Sequence, residues 1–398
     1  MYAKTLGVLL LSSGTALASV TITDLGVLPG QASSQGCGID SGGSVVAGFC
    51  GSSGGARAFR WASAGGMLDL GLVPGADRSF GYAISPEGSA VTGEAGNGDL
   101  WRHVFRWTTA GGMQDLGALP GGTWANGNAI SADGFAIAGV STISGLQTQR
   151  AFRWTSAGGM QNLGVLPGGS SSVAYAISAD GSVVVGASHN SSGQTQAILW
   201  TSAGGMQPIL NDALGRSEAT AISADGTAVA GTMAVNGSDH AFRWTLAGGV
   251  QDLGMLSGAV YSSGYAISGN GSSVAGRSRD RAFLWTSALG MVDLNEYLPT
   301  LGVDLAGWIL QEVRALSFDG SAMTGRGFHN GQLRAWLVTG LPTACPADFD
   351  NDGFITGIDF DLFVAAFEAG VMTSDFDRDG FITGLDFDLF VQAFEAGC

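Results

Sequence analysis

The sequence predicts a mainly β protein: a seven-bladed β-propeller of four-stranded units of about 45 residues, closed by its N-terminal strand and followed by a small helical module. Three observations predict it. Short strings recur seven times along residues 20–340. Within each unit, apolar and β-branched residues alternate over four to six positions, bounded by Gly, Asp or Ser. The last 54 residues differ in kind, with twelve acids against one cation, Arg378.

Composition agrees. Of 398 residues, 66 are Gly, 45% are hydrophobic and only 13% are charged, which disfavours long solvated helices. Lysine occurs once, at Lys4. The net charge of −16, of which −11 falls on the last 54 residues, excludes nucleic acid as a partner, because nothing here neutralises a phosphate backbone.

Residues 1–18 read as an export signal. Lys4 precedes the apolar run Leu6–Leu11, and Ala16-Leu17-Ala18 is a small-x-small site that predicts cleavage between Ala18 and Ser19. The expected location is therefore secreted, extracellular or at the cell surface. No run reaches the ~18 apolar residues of a membrane span.

Residues 19–341 hold the repeats. RAFRW, ending at Trp61, returns as variants ending at Trp107, Trp154, Trp200, Trp244, Trp285 and Val338. AISADG and its variants, such as GIDSGG from Gly38 and ALSFDG from Ala315, form the second string, and DLGxLPG the third. Each unit thus carries four strand signals: xAIS, VVVGxS, AFRWT and GGMQDLG. The Asp-Gly and Gly-Gly between them mark hairpin turns, because Gly tolerates positive φ. The mature chain begins with a lone DLG strand, Thr21–Leu28, and the array ends on RAWLV with no DLG behind it. The first strand is expected to complete the last blade and so remove an open edge. An open β-solenoid is the other architecture, but it gives no reason for the chain to start one strand out of phase.

The strings also place themselves. Small residues around AIS (Gly81, Gly127, Ala174, Gly264) suit the crowded innermost strand, and Phe59 and Trp61 with their equivalents are expected between blades. Arg60, Arg106, Arg153 and Arg243 recur at one position and are expected to pair with a structural partner such as a neighbouring Asp. His103 and His240 stand where other repeats have Arg57 and Arg150, so they belong to the repeat pattern. His240-Ala241-Phe242 carries literally the tripeptide of the HAF family of extracellular repeats, which residues 20–340 resemble. The resemblance implies secretion and a β-rich repeat fold and supplies no activity.

After a linker at 342–347, residues 348–398 contain two twelve-residue acidic loops, 27 residues apart. Calcium takes six to eight oxygens, supplied by loop positions 1, 3, 5, 7, 9 and 12. Those positions are Asp348, Asp350, Asp352, Phe354 (carbonyl), Thr356 and Asp359 in the first copy. They are Asp375, Asp377, Asp379, Phe381 (carbonyl), Thr383 and Asp386 in the second. Two calcium ions are expected. An apolar stripe follows each loop on a helix: Phe360, Phe363, Val364, Phe367, then Phe387, Phe390, Val391, Phe394. This segment resembles a dockerin of the kind ending in Gly397-Cys398, with Asp where an ordinary EF-hand loop ends in Glu. The resemblance implies docking to a cohesin-like partner, and the near-identical copies imply a pseudo-two-fold module.

Four cysteines allow three pairings. The local ones, Cys37–Cys50 and Cys345–Cys398, keep each bridge inside one module. No Ser-His-Asp set, His-x-His or Cys-x-x-Cys is present. The sequence therefore predicts a non-catalytic binding or scaffold propeller displayed through its C-terminal module; the alternative is a propeller enzyme, a hydrolase or lyase acting on extracellular glycans. A ligand face, with carbohydrate as one candidate ligand, is expected at the variable loops between second and third strands, where the blade-to-blade links should bring Trp124 and Tyr261 near Trp101.

Overall fold

The protein is described by a computed structural model over residues 19–52, 54–98, 100–143, 146–210 and 215–342, and in the C-terminal segment over 347, 349, 356–371, 374, 376 and 382–396. The export segment and its cleavage residue Ala18 lie outside the described residues. Seven four-stranded antiparallel sheets make up the propeller. Blades 1 to 6 span residues 33–69, 78–117, 125–162, 172–208, 217–252 and 262–293. Blade 7 takes three strands from Trp308–Leu316, Met323–His329 and Gln332–Thr339, and its outermost strand from Thr21–Asp24. Thr21 faces Thr339 and Asp24 faces Trp336 in that closing pair, so the chain start fills the missing strand as predicted.

The core is not central. Seven apolar clusters each lie between two neighbouring blades. Phe59, Phe105, Phe152, Phe242 and Phe283 anchor five of them, all fully buried, with Trp336 in the same role in blade 7. These rings lie over a glycine of the adjacent second strand. A Cβ on Gly139 would overlap the Asn126 carbonyl oxygen and sit 2.9 Å from the Phe152 ring. The inner strand is just as crowded: a Cβ on Gly81 would stand 2.7 Å from the Gly48 carbonyl of the preceding blade.

Polar groups stitch the blades as well. Ser79 Oγ accepts from Ala58 N of the previous blade at 3.0 Å and donates to Gly71 O at 2.9 Å. Ser172 and Ser262 repeat the arrangement. The recurrent arginines do not pair with Asp, as the sequence suggested. Their Nε groups donate to the turn glycine carbonyl of the next blade: Arg60 to Gly88, Arg106 to Gly134, Arg153 to Gly181 and Arg243 to Gly271, at 2.6–2.9 Å. The spacing of 28 residues between partners hides this contact from any local reading.

The AISADG string is explained by its turn. Ser178 Oγ accepts from Val183 N and donates to Asp180 Oδ1, which also accepts from Ser182 N. These turns meet at one end of the axis. Ser41 N–H donates to Pro86 O, Ala132 to Ala179, Ala179 to Ala224, Ala224 to Gly269, Asn270 to Phe318, and Phe318 back to Ser41. The one gap in this ring, from blade 2 to blade 3, falls where Pro86 has no N–H to give. Isoleucines of the AIS strings line a cavity of about 170 Å³ there.

Two findings were not legible beforehand. A short helix, Leu294–Thr300, capped by Asp293, occupies the long link between blades 6 and 7 and buries Leu294 and Leu298. Cys37 and Cys50 are free thiols, which corrects the predicted bridge. Cys50 faces Ser34, and Cys37 sits in the irregularity between Gly36 and Gly38, so the register keeps the two apart. Cys345 and Cys398 lie outside the described residues.

Two predictions follow from this packing. Gly139→Ala should destabilise the propeller by about 3 kcal/mol or more, because the new methyl meets backbone that cannot retreat, and chemical denaturation of residues 19–341 measures it. The Ser131 hydroxyl holds the Asp133 carboxyl below its ordinary range, and the Ser178 hydroxyl does the same to Asp180. A carboxyl lowered by folding adds stability above its unfolded pKa of about 3.9 and loses it as pH falls further. Asp133→Asn with Asp180→Asn keeps the acceptor, as Asn270 already does in blade 6. The double variant should therefore flatten the acid limb of a melting-temperature–pH curve.

Candidate functional site

The links into each blade and the hairpins between second and third strands share one end of the propeller. Ala32 N bonds Gly51 O, Asp77 N bonds Gly96 O, and His189 N bonds Ser171 O. This is the predicted loop face. The backbone of Trp124 runs beside the strand of Trp101 there, since Arg102 bridges to Trp124 and its N–H bonds Thr123 O at 3.0 Å. Trp101 is half-buried, its ring 4.7 Å from that of His103. Tyr261 stands instead at blade 6: its hydroxyl donates to Arg279 O, and the Arg277 guanidinium lies 5.5 Å over its ring.

The histidines are structural. His103 pairs with Asp115, and His240 with Asp252, at 2.9–3.1 Å. Arg57 and Arg281 make the same contact with Asp69 and Asp293. In each pair the third strand of a blade is tied to the aspartate of its own DLG strand. His329 joins the set by reaching Asp24 of the closing strand, 2.7 Å away, with Trp308 stacked on its ring.

Sequence reasoning missed the axial residues at this end. Every inner strand carries a β-bulge at one position, occupied by Cys37, Tyr82, Asn128, Tyr175, Thr220, Tyr265 and Arg314. A bulge re-aims its side chain. Here the bulge residues reach neighbouring blades: Asn128 donates to Ala174 O, Thr220 to Gly264 O, and Arg314 lies 4.9 Å over the Tyr265 ring. Burial pushes the Cys37 thiol up to about 11 against the pull of Arg314, and pushes Tyr175 up to about 12. Burial also raises Glu94, partly offset by Arg102. A signal was available: in six of the seven repeats this is the variable letter inside a Gly/Ala-x-Gly/Ala string, and in the seventh Val313 precedes it.

Charge gathers on one side of this ring. Glu312, fully buried, takes Arg314 Nε at 2.5 Å and lies 2.9 Å from Arg326 Nε and 3.9 Å from Arg277. Three guanidinium groups thus surround one carboxylate.

In the C-terminal segment, helices Gly357–Glu368 and Gly384–Ala396 pack through Phe363 and Phe390, stacked 3.8 Å apart and parallel within 1°. The predicted apolar stripes are therefore each other's core, and equivalent residues of the two copies meet face to face. Thr356 caps the first helix. Asp359, fully buried, accepts from Phe349 N, Thr356 N and Thr356 Oγ1. Asp386 repeats this with Phe376 N, Thr383 N and Thr383 Oγ1. Asp348, Asp350, Asp352, Phe354, Asp375, Asp377, Asp379 and Phe381 lie outside the described residues. Among the described residues no helix is long and apolar enough to cross a membrane.

No protein-family profile and no curated protein matches this chain. Solved structures do. An oligogalacturonate lyase in complex with manganese aligns with a TM-score of 0.53 at 12% identity, over 81% of this chain and 93% of that one. The oligogalacturonate lyase of Vibrio parahaemolyticus aligns with the same score at 9% identity, over 80% and 93%. TolB from Acinetobacter baumannii aligns with 0.45 at 14% identity, over 74% of this chain and 64% of that one. At these identities the likeness to the lyases establishes a shared propeller fold and nothing about chemistry.

Proposed function

We propose that this is a secreted, non-catalytic binding or scaffold propeller, attached to a cohesin-like partner through a calcium-dependent, dockerin-like C-terminal module. The duplication in that module carries the reading. Ile358 and Leu362 are exposed on the first helix, and Leu385 is exposed at the position of Ile358 on the second. Two related helices thus offer similar apolar surface to a partner, in either of two orientations. Exposed apolar patches of this kind mark protein interaction sites.

Calcium suits the loops because every side-chain donor in them is oxygen. Asp359 and Asp386 supply position 12 of the two loops. The charge on Asp348, Asp350, Asp352 and their second-copy equivalents is repulsive until the ion binds. Bound calcium would supply that compensation and order the loops around it.

On the propeller, the repeated charged residues are consumed in blade-to-blade and strand-to-strand contacts, which supports a binding role over a catalytic one. The rival reading, an enzyme acting on extracellular glycans, takes its support from the oligogalacturonate lyases on the same fold. New reducing or unsaturated ends from a polysaccharide panel, lost when clustered acids are replaced, would decide for the rival.

Excess chelator should abolish the helical circular-dichroism signal of isolated residues 345–398 and capture by a cohesin domain, while leaving the β signal of residues 19–341 unchanged. Asp350→Ala with Asp377→Ala should reproduce the chelated state at millimolar calcium, which fills even extracellular sites of roughly 10⁻⁴–10⁻³ M affinity. Retention of helix and capture under both conditions would sink the calcium assignment. For the loop face, Trp101→Ala with Trp124→Ala should weaken any glycan binding about tenfold or more if the two rings form the platform. Unchanged affinity on a glycan array removes them.

A further inference from the structure

The three arginines around Glu312 do more than satisfy it. Glu312 Oε1 takes both close contacts, from Arg314 and Arg326, while its Oε2 has no hydrogen bond. Arg277 Nε and Arg326 Nε are sealed from solvent yet donate to no acceptor in hydrogen-bond geometry. Donors recruited only to neutralise Glu312 would turn toward its free oxygen. The side chains of Arg277, Arg314 and Arg326 keep 30%, 40% and 28% of their surface open, whereas Glu312 keeps 1%. Among the described residues no second carboxylate pairs with any of the three, so two positive charges are left over in a chain of net charge −16.

The groups converge because the ring closes. Arg277 comes from blade 6, Glu312, Arg314 and Arg326 from blade 7, and Gln35, which accepts from Arg326 at 3.3 Å, from blade 1. Tyr261 and Tyr265 lie under Arg277, and Tyr265 also under Arg314, at 4.9–6.0 Å. Stacking of this kind fixes the plane of a guanidinium while leaving its edge free to grip a flat anion.

We propose that the arginine cluster beside the axis, where blades 6, 7 and 1 meet, is a binding site for an organic carboxylate held by Arg277, Arg314 and Arg326. A planar carboxylate matches the guanidinium fork in two parallel bonds. Glu312 sets the strength of the site by cancelling one of its three charges. The inference rests on the reading of the propeller as a binding domain and names its ligand class.

The test is calorimetric titration of the full chain with citrate, glucuronate and inorganic phosphate at low salt. Citrate or glucuronate should bind, more weakly as salt rises. Arg277→Gln with Arg326→Gln should weaken that binding about tenfold or more in protein that keeps its β circular-dichroism signal. Should that variant fail to fold, Arg314→Lys keeps the charge, loses the fork, and should still weaken binding several-fold. Glu312→Gln should tighten it, an effect that a merely structural carboxylate cannot give. Absence of carboxylate binding, equal affinity for phosphate, or a folded Glu312→Gln protein that binds no tighter overturns the site. Carboxylate binding that survives the arginine substitutions also overturns the site but leaves the propeller a binding domain. Chemical turnover of a bound carboxylate would do the reverse, sparing the site and ending the non-catalytic reading.

Discussion

The molecule depends on one steric arrangement, an aromatic ring of the third strand lying over a glycine of the second in six of the seven blades, with Ile198 in its place in blade 4. Phe152 over Gly139 is typical, and a single methyl there would collide with the inner-strand carbonyl. Because the ring fills the space between two blades, neighbouring sheets share their core rather than owning one each. A blade alone would leave that aromatic face in water. Stability is therefore a property of the closed circle, and the closing strand Thr21–Asp24 matters beyond its four residues.

The same repetition explains where charge goes. A residue type that recurs in most blades meets the same neighbour each time and is used up by it. Arg60 and its equivalents end on a turn carbonyl of the next blade, and Arg57, His103, His240 and Arg281 end on an aspartate of their own blade. Residues that break the pattern have no such assigned neighbour. Arg277, Glu312, Arg314 and Arg326 are of this second kind, and they gather beside the axis.

The C-terminal segment obeys a different rule. Its two copies are short, so neither buries a core alone, and each uses the other's phenylalanines as solvent-excluding surface. Phe363 and Phe390, equivalent residues of the two copies, stack at the centre of this contact. Buried Asp359 and Asp386 tie the backbone of Phe349 and Phe376 to the helix starts.

The repeat count, the four strands of each unit and the out-of-phase start were all legible in the sequence, because hydrophobic alternation and turn residues act within a dozen positions. So were the helix stripes, and for the same reason. The free thiols of Cys37 and Cys50 were not, since a bulge shifted one strand by a residue. The arginines' partners were missed because they lie 28 residues away on the next blade. The cluster at the axis was least visible of all: Gln35 and Arg326 stand 291 residues apart and meet only when blade 7 closes against blade 1. Local chemistry determined the strands and turns; the circular closure alone decided which unmatched charges face one another, because no short-range pattern encodes a contact between the two ends of a ring.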